Sequence, residues 1–169
     1  MKRTLQIVFT CALLGVSYIA QGNSGGPSWG YTSAPGSSNC RGCHSSYSLQ
    51  NSGPLHSKID LRMNSFKGGG YLPDSSYEFL LVFKDTLNSA AGFQMTVLDE
   101  NDEPAGTFAT LDARTQVGSK FVSGKTRSLI GHTSSGNNHQ ASDSISWRIK
   151  WTAPNKNLGK ITFYLNVVS

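Results

Sequence analysis

Two of the three cysteines in this chain lie in one pentapeptide, Cys40-Arg41-Gly42-Cys43-His44. The pattern C-x-x-C-H is the attachment signature of c-type haem. Two thiols with a two-residue spacer match the separation of the porphyrin vinyl groups, and the His that follows lies under the iron as an axial ligand. The spacing therefore predicts one covalent haem c, with thioether bonds at Cys40 and Cys43 and with His44 as the proximal ligand.

The same two cysteines have other interpretations. A thioredoxin-type C-x-x-C motif belongs at a strand-to-helix junction in a βαβ unit, and the sequence has no such unit. A structural zinc site needs four ligands, and a second cysteine pair is missing. A simple disulfide between Cys40 and Cys43 remains the alternative to haem.

The second axial ligand of the iron has five candidates along the chain: His56, His132, His139, Met63 and Met95. Both methionines alternate in phase with apolar neighbours, so we expect them in the core. His56 follows a Gly-Pro turn and His139 lies in a polar stretch, so we expect exposure for both. His132 follows an apolar pair at a predicted strand end and is the predicted ligand, with a hydrogen-bonding role as the alternative.

The N-terminus has the features of an export signal. A basic start, Met1-Lys2-Arg3, precedes the apolar run 7–20, which contains Cys11 as an ordinary apolar residue. The small-residue site Ala20-Gln21-Gly22 follows, so residues 1–22 are predicted to be a signal peptide. No second apolar run is present, so we expect a soluble product with no membrane span after cleavage. The predicted location is periplasmic, cell-surface or extracellular.

The net charge of +5 does not indicate nucleic-acid binding. Lys2 and Arg3 belong to the predicted signal, and subtracting these two charges leaves +3. The remaining basic residues occur singly rather than in a stripe or run, as at Lys58, Arg62, Lys67, Lys120 and Lys125. We therefore expect no nucleic-acid partner.

The motif lies in an irregular segment, and the rest of the mature chain is predicted to form short strands. Residues 23–54 form a Gly- and Ser-rich segment with the haem motif, in which Ser37, Ser38 or Asn39 is placed to cap a short helical turn. Trp29 and Tyr31 lie near enough in sequence to cover a haem edge. From residue 55 to 169, period-two alternation predicts strands near 59–63, 77–83, 93–97, 106–111, 117–122, 127–132, 146–151 and 160–168.

Seven or eight such strands predict an all-β, immunoglobulin-like sandwich of two sheets. The run Ser146–Trp151 is the clearest strand, since it places Trp147, Ile149 and Trp151 on one face as core residues. Leu72-Pro73-Asp74-Ser75 suits a type I turn, because Pro presets the backbone of the second position.

Several short stretches of the mature chain resemble the bacterial choice-of-anchor V domain proteins, which are secreted relatives of the Reeler domain and of which many carry this haem motif. The stretches are Thr32–Gly36 followed by the motif, Gly70–Tyr77, Ala91–Gln94, Gly131–Thr133, Trp147–Pro154 and Ile161–Tyr164. The resemblance implies a Reeler-like β-sandwich, and His132 matches the His-Thr step of the family pattern. The family tends to have Gly where Ser33 and Asp74 stand.

These observations favour electron transfer by an exported monohaem cytochrome, whose partner is another redox protein or an extracellular electron acceptor. An electron-transfer protein is expected rather than an enzyme, and the absence of a Gly-x-Ser-x-Gly elbow speaks against a hydrolase. One alternative is a secreted or cell-surface binding module of the Reeler type, in which haem is absent or structural. The other is a haem enzyme or gas sensor with an open sixth coordination site.

Overall fold

The computed structural model of the chain describes residues 26, 28–42, 58–63, 70–141 and 143–169. The predicted signal peptide, Cys43, His44 and His56 lie outside the described residues. The described strands, in chain order, are β1 (Ile59–Met63), β2 (Ser76–Lys84), β3 (Gly92–Asp99), β4 (Thr107–Thr110), β5 (Thr115–Val122), β6 (Lys125–His132), β7 (Ser144–Thr152) and β8 (Ile161–Val168). Each coincides with a strand predicted from alternation.

The eight strands form two four-stranded sheets. The first sheet has the order β1-β2-β7-β4 and the second the order β5-β6-β3-β8, with antiparallel pairing throughout. β4 packs against β5 and β6, so β1 and β8 are the edge strands at the opposite side of the molecule. The expectation of an all-β sandwich is confirmed.

The core between the sheets is aromatic and follows the predicted alternation. Trp147, Ile149 and Trp151 are each at most 1% exposed. Both indole N–H groups find carbonyl partners: Trp147 Nε1 donates to Gly136 O at 2.6 Å and Trp151 Nε1 to Ala105 O at 2.9 Å. The enclosed indole N–H groups therefore cost little, and the large rings contribute to the apolar core.

Met63 departs from its expected place in the core. Met95 is fully buried, but Met63 is 44% exposed. Ile59 and Leu61, which alternate with the same phase, are half-buried and pack against the core. The difference arises because β1 is an edge strand and Met63 is its last residue, so no neighbouring strand covers that side chain.

The turn at Leu72–Ser75 forms, but its type differs from the prediction. Ser75 N donates to Leu72 O at 3.2 Å, as a four-residue turn requires. Asp74, however, has a φ of +57°, whereas a type I turn needs a negative φ at that position. Ser33 also has a positive φ, of +59°. Both residues stand where the resembled family tends to have Gly, the residue that adopts this backbone without strain.

Candidate functional site

The described part of the haem motif is a short helical turn. Cys40–Gly42 forms one turn of 3-10 helix, and Gly42 N donates to Asn39 O at 3.1 Å. The side chain of Asn39 accepts from Arg41 N at 3.0 Å. Asn39 is thus the capping residue among the three predicted, and it holds the turn that presents the half-buried Cys40.

The turn is held against β8 and against the ring of Tyr31. β8 is the strand that the turn contacts, and a Cβ added at Gly42 would lie 3.2 Å from Tyr31 Cε1. Tyr31 is itself fixed to β8, because Asn166 Nδ2 donates to Tyr31 O at 2.9 Å. Of the two aromatic residues predicted to lie near the motif, Tyr31 contacts it directly.

Residues 28–38, which we call the docking segment, lie on the face of the second sheet that points away from the core. Gln94 is the central anchor and is only 2% exposed. Its Oε1 accepts from Gly30 N at 3.1 Å and from Tyr31 N at 3.0 Å, and its Nε2 donates to Ser28 O at 3.0 Å. One amide therefore satisfies three backbone groups of a segment that has no strand partner.

The indole ring of Trp29 packs on the sheet at two glycines. A Cβ added at Gly118 on β5 would lie 2.1 Å from the indole ring of Trp29, and one at Gly131 on β6 would lie 3.3 Å from it. The ring therefore occupies the space that side chains at these two strand positions would fill. Trp29 anchors the docking segment to the sheet.

Arg127 is the third anchor, and it is almost completely enclosed, with 2% of its surface exposed. Its Nη1 donates to Pro35 O at 2.6 Å and to Ser37 Oγ at 3.2 Å. Its Nε is buried with no hydrogen-bond partner, and none of the ion pairs found among the described residues includes Arg127. A buried guanidinium without a carboxylate is uncommon, because burial of an unpaired charge is costly.

His132, the predicted second axial ligand, ends β6 and is 7% exposed. Its ring packs on Gly92, where an added Cβ would lie 2.3 Å from the ring Cε1. Nδ1 lies 3.0 Å from Phe93 N, which donates to it, and 3.3 Å from Phe93 O. His132 ends β6, whereas the turn at Cys40 packs against β8. These two strands are not neighbours, because β3 lies between them in the sheet.

Burial lowers the pKa of His132, and the smaller, opposite effect of the hydrogen bond with Phe93 does not compensate. The neutral ring is thereby favoured, with Nδ1 accepting from Phe93 N–H and the proton on Nε2. This is the hydrogen-bonding role that the sequence left open as the alternative to iron ligation.

His139 differs from its expected exposure. The residue is half-buried, its backbone N donates to Ser89 O at 3.3 Å, and its Nε2 is enclosed without a hydrogen-bond partner. The polar composition around it is that of a surface loop, but the loop packs back on residues 89–90. Within the described ranges, no group of three or more His, Cys, Asp or Glu side chains is placed to hold a metal ion.

The residues present fit a covalent haem. Cys40 supplies a thiol at the start of a capped turn, and the motif adds a second thiol and an imidazole at Cys43 and His44. On β8, which the turn contacts, Phe163, Leu165 and Val167 are half-buried and pack against the core, on the face opposite to the docking segment.

Gln94, Arg127 and Asn166 were not singled out from the sequence as functional. Gln94 gave no such signal, because it occupies the polar phase of an alternating strand, whereas Gly118 inside another strand indicates a close approach. Their role depends on which chain segment lies over the sheet, and alternation alone does not contain that information.

No protein-family model matches the chain, and no curated protein matches it. Among solved structures, the chain is similar to the human F-spondin reeler domain in the crystal structure of its fragment 1, with a TM-score of 0.47 and 21% sequence identity. The match covers 66% of this chain and 75% of that chain.

Across the residues that the structure describes, no helix has the length and apolar character to cross a membrane.

Proposed function

We propose that this chain is an exported monohaem c-type cytochrome that transfers electrons. Cys40 and Cys43 form the thioether bonds and His44 is the proximal ligand. The observation that carries the proposal is the pentapeptide Cys40–His44, whose residue types and spacing are those of haem attachment. The electron partner is a redox protein or an extracellular acceptor, and the predicted signal peptide 1–22 directs the chain out of the cytoplasm.

The described residues around the motif have roles that agree with this proposal. Bound haem supplies an iron that changes between the ferric and ferrous states. Asn39 caps the turn, while Tyr31 and Asn166 fix the turn to β8. A site on rigid supports keeps its geometry through a reaction cycle, and the docking segment gives the otherwise irregular N-terminal residues such a support.

The resemblance to the choice-of-anchor V domain proteins belongs to the same proposal. It rests on the stretches quoted above, and it implies both the haem motif and secretion. The Reeler-like binding module without haem is the competing function, and the attachment chemistry decides between the two.

The test is to produce the full chain in a bacterial host together with a cytochrome c maturation system. We expect the mature protein to begin between Gln21 and Asn23, to carry the mass of one haem, and to keep that haem through acid–organic extraction. The double variant Cys40→Ala/Cys43→Ala is the control and should lose covalent haem. A wild-type mass that shows a disulfide and no haem refutes the proposal.

The spectrum separates the remaining functions. A low-spin haem that does not respond to CO supports electron transfer, because both axial positions are then filled. A high-spin haem that binds CO indicates an enzyme or sensor instead. The absence of a Soret band indicates the binding module.

The second axial ligand is proposed to be His132. Iron binding at Nε2 requires the other tautomer, in which Nδ1 carries the proton and donates to Phe93 O instead of accepting from Phe93 N, as is usual for ligating histidines. His132→Ala should then convert a low-spin spectrum to a high-spin one while covalent haem is kept. Met63→Ala is the matched test, because its exposure removes the reason for discounting it. A far-red Met–iron charge-transfer band that only Met63→Ala abolishes would reassign the ligand.

A further inference from the structure

A cavity of about 140 Å³ lies between the docking segment and β5. Its lining is mostly polar, with Lys120 and Val122 from the sheet and with Ser28, Trp29, Tyr31, Ser37 and Ser38 among the segment residues. A single water needs about 10–15 Å³ by this measure, so the cavity has room for a compact polyatomic group. Its lining does not include Cys40–Gly42, although Tyr31 contacts both that turn and the cavity.

Lys120 and Arg127 bring two positive charges together beside this cavity. They are directly opposite each other in the β5–β6 register, on the face that the docking segment partly covers: Lys120 is exposed and Arg127 is enclosed. Like charges at opposed strand positions repel each other. Lys120 has no hydrogen bond or ion pair, and Arg127 has no acidic partner, among the described residues.

The cavity is built rather than accidental. The aliphatic stem of Lys120 lies along the backbone of Gly30, where an added Cβ would lie 3.4 Å from its Cγ. That contact places the ammonium group at the cavity. Ser37 Oγ lines the cavity and already accepts from Arg127 Nη1, so its own hydroxyl hydrogen is free to be donated. Arg127 does not line the cavity, but it is 2% exposed with Nε unsatisfied, and its Nη1 lies 3.2 Å from Ser37 Oγ.

We infer that this cavity is a binding site for a compact oxyanion, a sulfate or carboxylate group. The Lys120 ammonium and the Ser37 hydroxyl donate to the anion, and the buried charge of Arg127 strengthens its field. An anion here would relieve the repulsion between the two cations and would compensate the unpaired guanidinium. The inference does not depend on haem.

The oxyanion has two sources, a free inorganic ion or the acidic group of a saccharide. Isothermal titration of the full chain with sodium sulfate and with sodium glucuronate distinguishes them, at ionic strength held constant with sodium chloride. Sulfate binding tighter than glucuronate indicates the inorganic ion. Tighter glucuronate, with glucose alone silent, indicates an acidic sugar whose ring meets Trp29 or Tyr31.

Lys120→Gln tests whether either probe binds at this cavity. We expect saturable binding in the wild type and a dissociation constant at least about tenfold weaker in Lys120→Gln, the loss of one charge-assisted hydrogen bond. Lys84→Gln is the matched control, because it removes one exposed charge from the first sheet and should leave binding unchanged. Absence of saturable binding by both probes, or equal affinity in wild type and Lys120→Gln, overturns the inference.

Discussion

The outer faces of the two sheets differ in how far their polar and charged side chains are exposed to water. On the first sheet, Glu78 and Arg148 form an ion pair at 3.3 Å, with side chains 57% and 56% exposed. On the second sheet, Gln94 and Arg127 are each 2% exposed beneath the docking segment. Water solvates the first two side chains whether or not they form the ion pair, whereas the enclosed Gln94 and Arg127 both hydrogen-bond to the docking segment.

The difference indicates which of the two faces tolerates substitution of its polar residues. The open face of the first sheet tolerates exchange of its charged residues, because surface ion pairs contribute little. The covered face of the second sheet does not, because each lost partner leaves a buried donor or acceptor unsatisfied. The docking segment leads directly into the haem motif, so the covered face also determines where Cys40 lies.

The largest expected effect comes from exchanging one arginine on each face. Arg127→Ala should lower the free energy of unfolding by about 3 kcal/mol, because Pro35 O and Ser37 Oγ lose their donor and the packed stem is lost. Arg148→Ala should cost less than about 0.5 kcal/mol. Urea denaturation followed by circular dichroism measures both. Equal losses for the two variants would contradict the contrast between the faces.

Gly118→Ala should disrupt the packing of Trp29 on the second sheet without removing a polar contact. The new Cβ would lie 2.1 Å from the Trp29 ring, so the ring must leave its place, at a cost of about 1–3 kcal/mol typical of overpacking. In the haem-free double cysteine variant, Trp29 fluorescence should shift toward that of exposed indole, since the other two tryptophans are in the core. Gly70→Ala, with nothing within 4 Å of the added Cβ, is the control and should change neither quantity.

In the haem-free double variant Cys40→Ala/Cys43→Ala, in which no iron competes for the ring, acid should weaken the end of the covered sheet through His132. Its pKa in the folded protein is lowered by burial, so below about pH 6.5 the unfolded chain binds a proton that the folded chain resists. The stability that depends on neutral His132 is therefore complete above that pH and falls as the pH falls toward the lowered value. The slope cannot exceed about 1.4 kcal/mol per pH unit, the value for one proton.

In the same haem-free background, His132→Gln removes this proton uptake, so the unfolding free energy should depend less on pH than with His132 present between about pH 7 and 5. Denaturation curves at several pH values give the two slopes. Identical slopes would show that His132 titrates alike in the folded and unfolded chain.

The smallest effect is expected at an exposed turn. Asp74 adopts a φ of +57°, and among the described residues its side chain makes no hydrogen bond or ion pair that the substitution would remove. Asp74→Gly relieves that backbone strain. It should raise the free energy of unfolding by about 0.5 kcal/mol, which a slightly higher melting temperature would show. Asp74→Ala is the control and should give no gain, because Ala does not favour a positive φ. A loss on Asp74→Gly would be contrary to this account.

The strands could be predicted because alternation is local information. The run Ser146–Trp151 shows which side chains face the core before any partner strand is known. The haem motif is equally local, since its two cysteines and its histidine are contiguous and their spacing alone indicates the chemistry. The same reasoning placed Met95 correctly and failed for Met63, because alternation gives the face of a side chain and not whether its strand is an edge strand.

The all-β class, the strand positions and the pentapeptide that predicts haem attachment could all be read from the sequence, since each depends on residues that are close along the chain. Only the tertiary structure decided that Gln94 would anchor the docking segment and that Lys120 and Arg127 would meet beside a cavity. In the sequence, Lys120 and Arg127 are separate basic residues and do not belong to a run of positive charges. Strand register brings the exposed Lys120 opposite the enclosed Arg127, so their charges lie close together only in the fold.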